Sequence, residues 1–316
     1  MKIKSKMKQG GHLTRKTKRI IFSSLILLLP ITQFCIFYIY THFNMFLLAF
    51  QKYSVNLDGL GYHIEFAKFD NFKVAWDVLK THWFMVENSL KFALSLYILG
   101  MFFELVFSFY IYKKFIGASL FKVFLFMPHI ISSVVISLLF EYMVEDVYVA
   151  VMLKVTGKTV EGLLTNLDTR LGTIIFYNVW VSLGVRILVF SSSMANINES
   201  IVESAQLDGV NYVKEFLYIT FPMIFPTFIT FTITSMASIF TNQFSLFTFF
   251  GYSAGEVSSL GYYIYTQAAA GDTITSKAGY LNYSQQAAFG LMLTFVMLPF
   301  ILAIKRLLEK YGPSTD

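Results

Sequence analysis

The chain is 316 residues long, 56% hydrophobic and 18% aromatic but only 14% charged, with a mean hydropathy of +0.60. A soluble domain carries roughly 25% charged residues, so the composition argues against a freely soluble enzyme; the abundance of apolar residues excludes intrinsic disorder, and a single cysteine, Cys35, excludes a disulfide scaffold. The net charge of +6 is concentrated at one end: Lys2, Lys4, Lys6, Lys8, Arg15, Lys16, Lys18 and Arg19 precede every acidic residue, and the chain after residue 19 is net negative.

In chain order, residues 1–19 read as a basic cytoplasmic tail under the positive-inside rule. A nucleic-acid partner would want its basic residues spread over a folded face, so none is expected. A signal peptide fits poorly, because the apolar stretch from Ile20 to about Phe50 outruns an h-region of roughly 7–15 residues and no small-residue cleavage site follows. Thr32-Gln33-Phe34 before Cys35 does not match a lipoprotein processing site.

Six membrane helices are predicted: Ile20–Thr41, Asn88–Tyr112, Val123–Met143, Leu171–Ser193, Met223–Phe247 and Gln286–Ile304. Each is long enough for a hydrocarbon core of about 30 Å. Pro128, Pro226 and Pro299 fall inside spans, where neighbouring helices can satisfy the freed carbonyls. With the N-terminus inside, the inner segments hold fifteen of the 25 Lys and Arg against six acids. The outer loops hold eight against eleven, which places both termini in the cytoplasm. The fold class is therefore an all-α polytopic membrane protein: a basic tail over 1–19, a six-helix domain over 20–310 and a short tail over 311–316.

Two outer segments have structure of their own. Phe72, Ala75, Trp76, Leu79 and Trp83 fall on one helical face, which suits a short interfacial helix acting as a cap or a docking surface. Leu260–Ala269 (LGYYIYTQAA) is rich in Tyr, a residue of the membrane–water boundary. Between them, Thr156-Gly157-Lys158-Thr159 contains the GKT of a phosphate-binding loop, but Met152 stands where the required glycine belongs, so the match is taken as chance. The five histidines are scattered without metal-site spacing, and no nucleophile motif occurs. No metal site and no catalytic residue are expected.

The inner loop 196–222 is too patterned to be a mere connector. Asn196 and Glu199 have the spacing of a capping box, Ile197, Ile201, Ala205 and Leu207 form an apolar side, and Gly209 suits a left-handed helix end. A second amphipathic stretch (Tyr212, Phe216, Ile219) then leads to Pro222, giving two short helices with a glycine elbow.

Here the chain resembles a known family. Glu203-Ser204-Ala205, Asp208-Gly209 and Ile219-x-Phe221-Pro222 look like the "EAA" loop of bacterial ABC import permeases, whose pattern is E-A-A, three residues, G, then I-x-L-P. The D-G form and Ile197-x-Glu199 look most like the carbohydrate-type permeases of maltose, glycerol phosphate and oligosaccharides. Asn88-Ser89-Leu90, Phe126-Met127-Pro128 with Ile131-Ser132, Trp180 with Gly184, and Tyr262-Tyr263-Ile264-Tyr265 resemble further family motifs, in order, over residues 20–310. Ser204, Val210 and Phe221 depart mildly from the pattern, and Phe250-Gly251-Tyr252-Ser253-Ala254-Gly255 lacks the glycine-rich stretch that often follows the fifth span.

The resemblance implies a sugar or oligosaccharide importer in which this chain forms half of the pathway and does no chemistry. It implies a second homologous permease, two ATPase subunits or domains that hold ATP and Mg, and an extracytoplasmic solute-binding protein. The latter would reach the outer loops around 51–83 and 248–282. Glu203, Ser204, Ala205, Asp208 and Gly209 would then couple to the ATPase, the plainer alternative being solvated loop charges. A helix pair held by two spans can turn rigid-body motion of a partner into rocking of the bundle. Other solutes on the same machinery are an alternative: a phosphodiester, a peptide or an amino acid. An ATP-independent transporter is another, but it would want inverted repeats with broken helices.

Polar residues inside spans are expensive and mark pathways. Asn178, Trp180, Ser182 and Arg186 interrupt the fourth span, Glu104 the second and Gln33 the first. Thr227, Thr230, Thr234, Ser238 and Thr241 share a face of the fifth, followed by Asn242 and Gln243. Amides, charges and aromatic faces are what a sugar pathway needs. The threonine stripe suits close helix packing at least as well as lining. Glu104 and Arg186 can pair with each other or with a second subunit, and Arg186 can also snorkel toward the inner end.

Overall fold

The computed structural model describes residues 14–55, 62–269 and 283–313. Residues 1–13 with Lys2, Lys4, Lys6 and Lys8, residues 56–61, residues 270–282 with Lys277, and residues 314–316 lie outside these. A backbone in hydrocarbon must satisfy its own hydrogen bonds, so the long apolar runs fold as helices. Five described helices are long and apolar enough to cross a membrane, and a sixth crossing is made if one bent pair counts as a single span.

Helix α1 (Arg15–Ala49) extends past the predicted Ile20–Thr41 at both ends. Its 35 residues reach about 50 Å at 1.5 Å per residue, well over the apolar core. It includes a π-helical turn at Cys35–Tyr40 and touches the rest of the chain near its end, where Ala49 packs on Ala287 and Ala288. Strands β1 (Gln51–Val55) and β2 (Tyr62–Phe66) then form an antiparallel ribbon with Gln51 opposite Phe66. Strands of five residues are too short to announce themselves by periodicity, and this ribbon was not anticipated. Helix α2 (Asp70–Thr81) follows. Its buried side is Asn71 and Ala75, whereas Trp76 turns outward with Lys80 over its ring. The Asn71 amide donates to the carbonyls of Ala49 and Gln51, both at 2.9 Å, which fixes α2 to the end of α1.

Helix α3 (Trp83–Tyr112) begins five residues before the predicted Asn88. The predicted third span is not one rod. Helix α4 (Ala118–Ile130) and α5 (Ser133–Thr156) meet at 105°. Pro128 removes an amide donor near the end of α4, and Ile131 is extended (φ −83°, ψ 144°), so the helical ladder cannot pass the break. Helix α5 stops at Gly157, which is left-handed (φ +70°); the Gly-Lys-Thr tract is therefore a helix terminator. Helix α6 (Leu167–Ala195) is capped by Asn166, whose Oδ1 accepts from Asp168 N at 2.9 Å.

Beyond it come α7 (Glu199–Leu207), α8 (Tyr212–Ala237), α9 (Leu246–Phe250), α10 (Leu260–Ala269) and α11 (Tyr283–Tyr311). Two expectations fail here. The stretch Tyr212–Pro222 is no separate short helix; it is the first three turns of α8, with a π-turn at Phe216–Thr220. The fifth span also ends at Ala237 rather than Phe247, because residues 238–245 unwind into turns.

The bundle is organised along α6. Toward α7, Phe190 and Met194 pack with Met101 and Ile224; midway, Val179, Leu183 and Ile187 are buried; at the far end Ile174 joins Phe92, Phe244, Leu246 and Tyr262. Helices in lipid associate through close approach rather than through release of water. Gly184 supplies it: a Cβ there would strike the His129 ring and crowd the Leu125 carbonyl of α4. A Gly184→Leu substitution should overpack this crossing and cost about 1–3 kcal/mol, read as a lower Tm of the purified protein in detergent. An unchanged Tm would show that the crossing is not closely packed at Gly184.

Candidate functional site

The loop is built in three steps. Asn196 closes the last turn of α6, its backbone N–H donating to the Ser192 carbonyl at 3.2 Å. The N-cap of α7 is Asn198, not Asn196: its Oδ1 accepts from Ser200 N at 3.1 Å and Ser200 Oγ at 3.0 Å. The two-residue shift lets Ile197 turn inward, where it is buried with Val202 against Met101, Phe190, Met194 and Ile224. At the other end Gly209 (φ +76°) donates to the Gln206 carbonyl at 3.0 Å and Val210 N to the Ala205 carbonyl at 3.1 Å. This pair of bonds is a Schellman closure, and it requires a left-handed residue at Gly209. Asn211 then starts α8, its Oδ1 accepting from Lys214 N at 2.9 Å.

Helix α7 thereby has two faces. Val202 and Ala205 are buried; Ile201 and Leu207, expected on the apolar side, are exposed, Leu207 to 90%. Glu203, Ser204, Asp208 and Gly209 are exposed as well, and Ser204 Oγ donates to its own helix at the Ser200 carbonyl. Glu203 and Leu207 stand four residues apart on one outward side. A carboxylate beside a bare leucine, on a helix whose back is fixed to three spans, is a shape suited to a groove.

The polar residues of the spans divide into separate groups. Asn178, Ser182 and Arg186 lie at intervals of four on the side of α6 facing α8 and the turns after it. Arg186 Nη1 is 3.5 Å from Glu104 Oε1 of α3, Nη2 donates to Ser235 Oγ at 3.1 Å, and the guanidinium lies over the Phe231 ring at 5.3 Å. Glu104 is fully buried, and its Oε2 accepts no hydrogen bond from the described residues. Tyr97, Ser182, Arg186, Ser235, Ser238 and Asn242 line a cavity of about 100 Å³. Since an apolar cavity of ~150 Å³ takes benzene, this one has room for water and not for a sugar.

Asn178 is occupied structurally. Its Nδ2 donates to the carbonyls of Ile174 at 2.8 Å and Phe244 at 2.9 Å, and its Oδ1 accepts from Ser245 Oγ at 3.2 Å. Phe244 and Ser245 are both left-handed, at φ +53° and +59°. Asn242 Oδ1 accepts from Phe244 N, and Gln243 Oε1 accepts from Phe247 N. Thr241 sits in the same turn, off the helix that was to carry it, so the threonine stripe breaks after Thr234. Trp180 is on another side of α6, among Phe140 and Tyr177.

Sequence reasoning missed two contributions. Gly261 of α10 presses on the backbone of Thr241 and Asn242 so closely that a Cβ would not fit. The Asn88-Ser89 pair at the start of α3 ties this region down: the Asn88 amide donates to the carbonyls of Glu256 and Ser258, and Ser89 Oγ accepts from Leu260 N at 2.8 Å. The Asn-Ser-Leu motif was legible, but its partner 170 residues on was not.

Residues 96–315 match the family described as binding-protein-dependent transport system inner membrane component. The chain is 24% identical over 275 residues to the arabinooligosaccharides transport system permease protein AraP of Bacillus subtilis, covering 85% of this chain and 82% of that one. It is 25% identical to the multiple sugar-binding transport system permease protein MsmF of Streptococcus mutans, over 73% of this chain and 79% of the relative. Its fold is similar to a chain in a crystal structure of a bacterial ABC transporter that imports the acidic polysaccharide alginate, with a TM-score of 0.75, 20% identity, and 94% and 98% of the two chains covered.

Proposed function

This chain belongs to the binding-protein-dependent transport system inner membrane component family and is a multi-pass membrane protein; from that premise we propose that it is one of two homologous permease subunits of an ATP-driven importer for a sugar or oligosaccharide. Both termini lie in the cytoplasm, and an extracytoplasmic binding protein delivers the solute. Two ATPase subunits or domains bind ATP and Mg and hydrolyse the nucleotide; this chain binds neither. The sugar class is supported by the similarity to permeases named for arabinooligosaccharides and for multiple sugars.

The observation that carries the reading is the two-faced α7, buried through Val202 and Ala205 and open at Glu203 and Leu207. The ATPase grips the open face, and the Schellman closure at Gly209 lets α7 lie across the bundle while α8 rises from it. Arg186, Asn242 and Thr241 border the solute's route, with Asn178 and Gln243 shaping the turn there, whereas Trp180, packed with Phe140 and Tyr177 on another side of α6, is not part of it. The cavity at Arg186 is too small for a sugar, which supports a route completed there by the second subunit. The face of α1, which packs on almost none of its own chain, meets lipid or that subunit.

Replacing Glu203 and Leu207 by Ala should cut co-purification of the ATPase, and uptake of labelled arabinotriose or maltotriose, at least tenfold with unchanged abundance in the membrane. The two exposed side chains support nothing inside the fold. Full co-purification and uptake would overturn the assignment of α7.

A further inference from the structure

One device lies outside the family's loop motif and rests on the reading of α7 as the docking helix. Lys113 follows the last residue of α3, and Glu215 is the fourth residue of α8. By position both belong to solvated inner loops. Instead Lys113 Nζ lies 2.5 Å from Glu215 Oε1, with the side chains only 10% and 1% exposed. The ammonium is walled by the rings of Phe109, Tyr112 and Tyr212, at 5.9, 5.3 and 5.8 Å, and Phe109 meets Phe216 edge-on at 5.2 Å.

The placement gives the pair a mechanical meaning. Glu215 stands six residues past the Gly209 elbow and immediately before the π-turn Phe216–Thr220, where the Thr220 hydroxyl is buried with no hydrogen-bond partner among the described residues. The foot of α8 is therefore held from outside, by α3. Opposite charges shielded from water attract each other more strongly than the same pair in solvent. Helix α3 is a single rod of 30 residues, and its other end holds the 256–260 segment through Asn88 and Ser89.

We propose that Lys113 and Glu215 are a positioning pair, a latch that makes α3 follow α7 so that ATPase movement reaches the 238–262 segment at the opposite face. Spatial continuity alone does not establish coupling between sites, so the test reads transmission itself. The tagged chain is purified from its host with its associated subunits, placed in lipid nanodiscs and compared by hydrogen–deuterium exchange with and without Mg-ATP plus vanadate. In the wild type, trapping should alter exchange both in 196–222 and in 238–262. In Glu215→Gln, vanadate should still be trapped and 196–222 should still respond, while the change in 238–262 falls at least fivefold. The charge exchange, Lys113→Glu with Glu215→Lys, should restore it.

A response in 238–262 that persists in Glu215→Gln, or is absent from a wild type that traps vanadate, overturns the latch alone. A wild type that brings down no ATPase overturns the reading of α7 and the latch together. If Glu215→Gln does not assemble, the exchange variant decides: it must recover both assembly and the outer response, and failure in either overturns the proposal.

Discussion

Glu104→Ala should deplete the membrane of folded protein more than any other single substitution in the polar set. The carboxylate is fully buried and is the acidic partner of Arg186. Removing one member of a buried pair leaves an uncompensated charge and costs about 3–5 kcal/mol, a large part of the roughly 5–15 kcal/mol by which a domain is stable. The Ser235 hydroxyl and the Phe231 ring remain for Arg186, but neither carries a charge. The paired replacement Glu104→Leu with Arg186→Met should recover most of the lost stability, because two well-packed apolar residues can match a buried ion pair. It should still abolish uptake if the guanidinium borders the route. Thermal unfolding in detergent separates these effects from the transport assay. Equal Tm values for wild type and Glu104→Ala would show that the pair supports nothing.

Asn178→Leu should act locally and almost as strongly. Leucine keeps the branched heavy-atom skeleton but forfeits three hydrogen bonds, each worth about 1 kcal/mol. Those bonds hold Phe244 and Ser245 in a left-handed conformation that costs a non-glycine residue roughly 1–2 kcal/mol. Freed of the clamp, the turn relaxes, and Phe244 leaves its stacking contact with Phe92 at 5.1 Å. Amide exchange across residues 241–251 should accelerate by about 10²–10³-fold, the equivalent of 3–4 kcal/mol, while protection in α3 and α6 stays high. Ser245→Gly in the same background should slow exchange again, since glycine takes the left-handed region without strain. Unchanged protection of 241–251 in Asn178→Leu would show that the amide is not a clamp.

How far each element was legible depends on the range of the force that makes it. Lengths of apolar sequence placed the spans to within about two turns in α3, α6 and α11, because each apolar run ends in polar residues. They misplaced the end of α8, because Phe244, Leu246, Phe247, Phe249 and Phe250 continue the apolar composition across a break made by Asn242, Gln243 and Asn178. Pro128 was visible, but the 105° corner after it was not, since a proline inside a membrane helix can equally well be accommodated by its neighbours. At α7 the glycine elbow was read correctly because a left-handed closure is local. The N-cap was misread by two residues because Asn196 and Asn198 are equally good caps, and only the descent of Ile197 into the core chose between them.

By itself, then, the amino-acid order determined what acts within a few turns of backbone: the apolar lengths, the concentration of positive charge ahead of the first span, the elbow at Gly209 and a loop pattern specific enough to indicate the family. Tertiary structure alone decided the pairings. Glu104 meets Arg186 across 82 residues, Asn178 meets Phe244 across 66, and Lys113 finds Glu215 on a different helix. Helical periodicity says which side chains share a face of one rod; which faces meet depends on where close packing lets two rods cross, and Gly184 and Gly261 show that a missing Cβ can settle it.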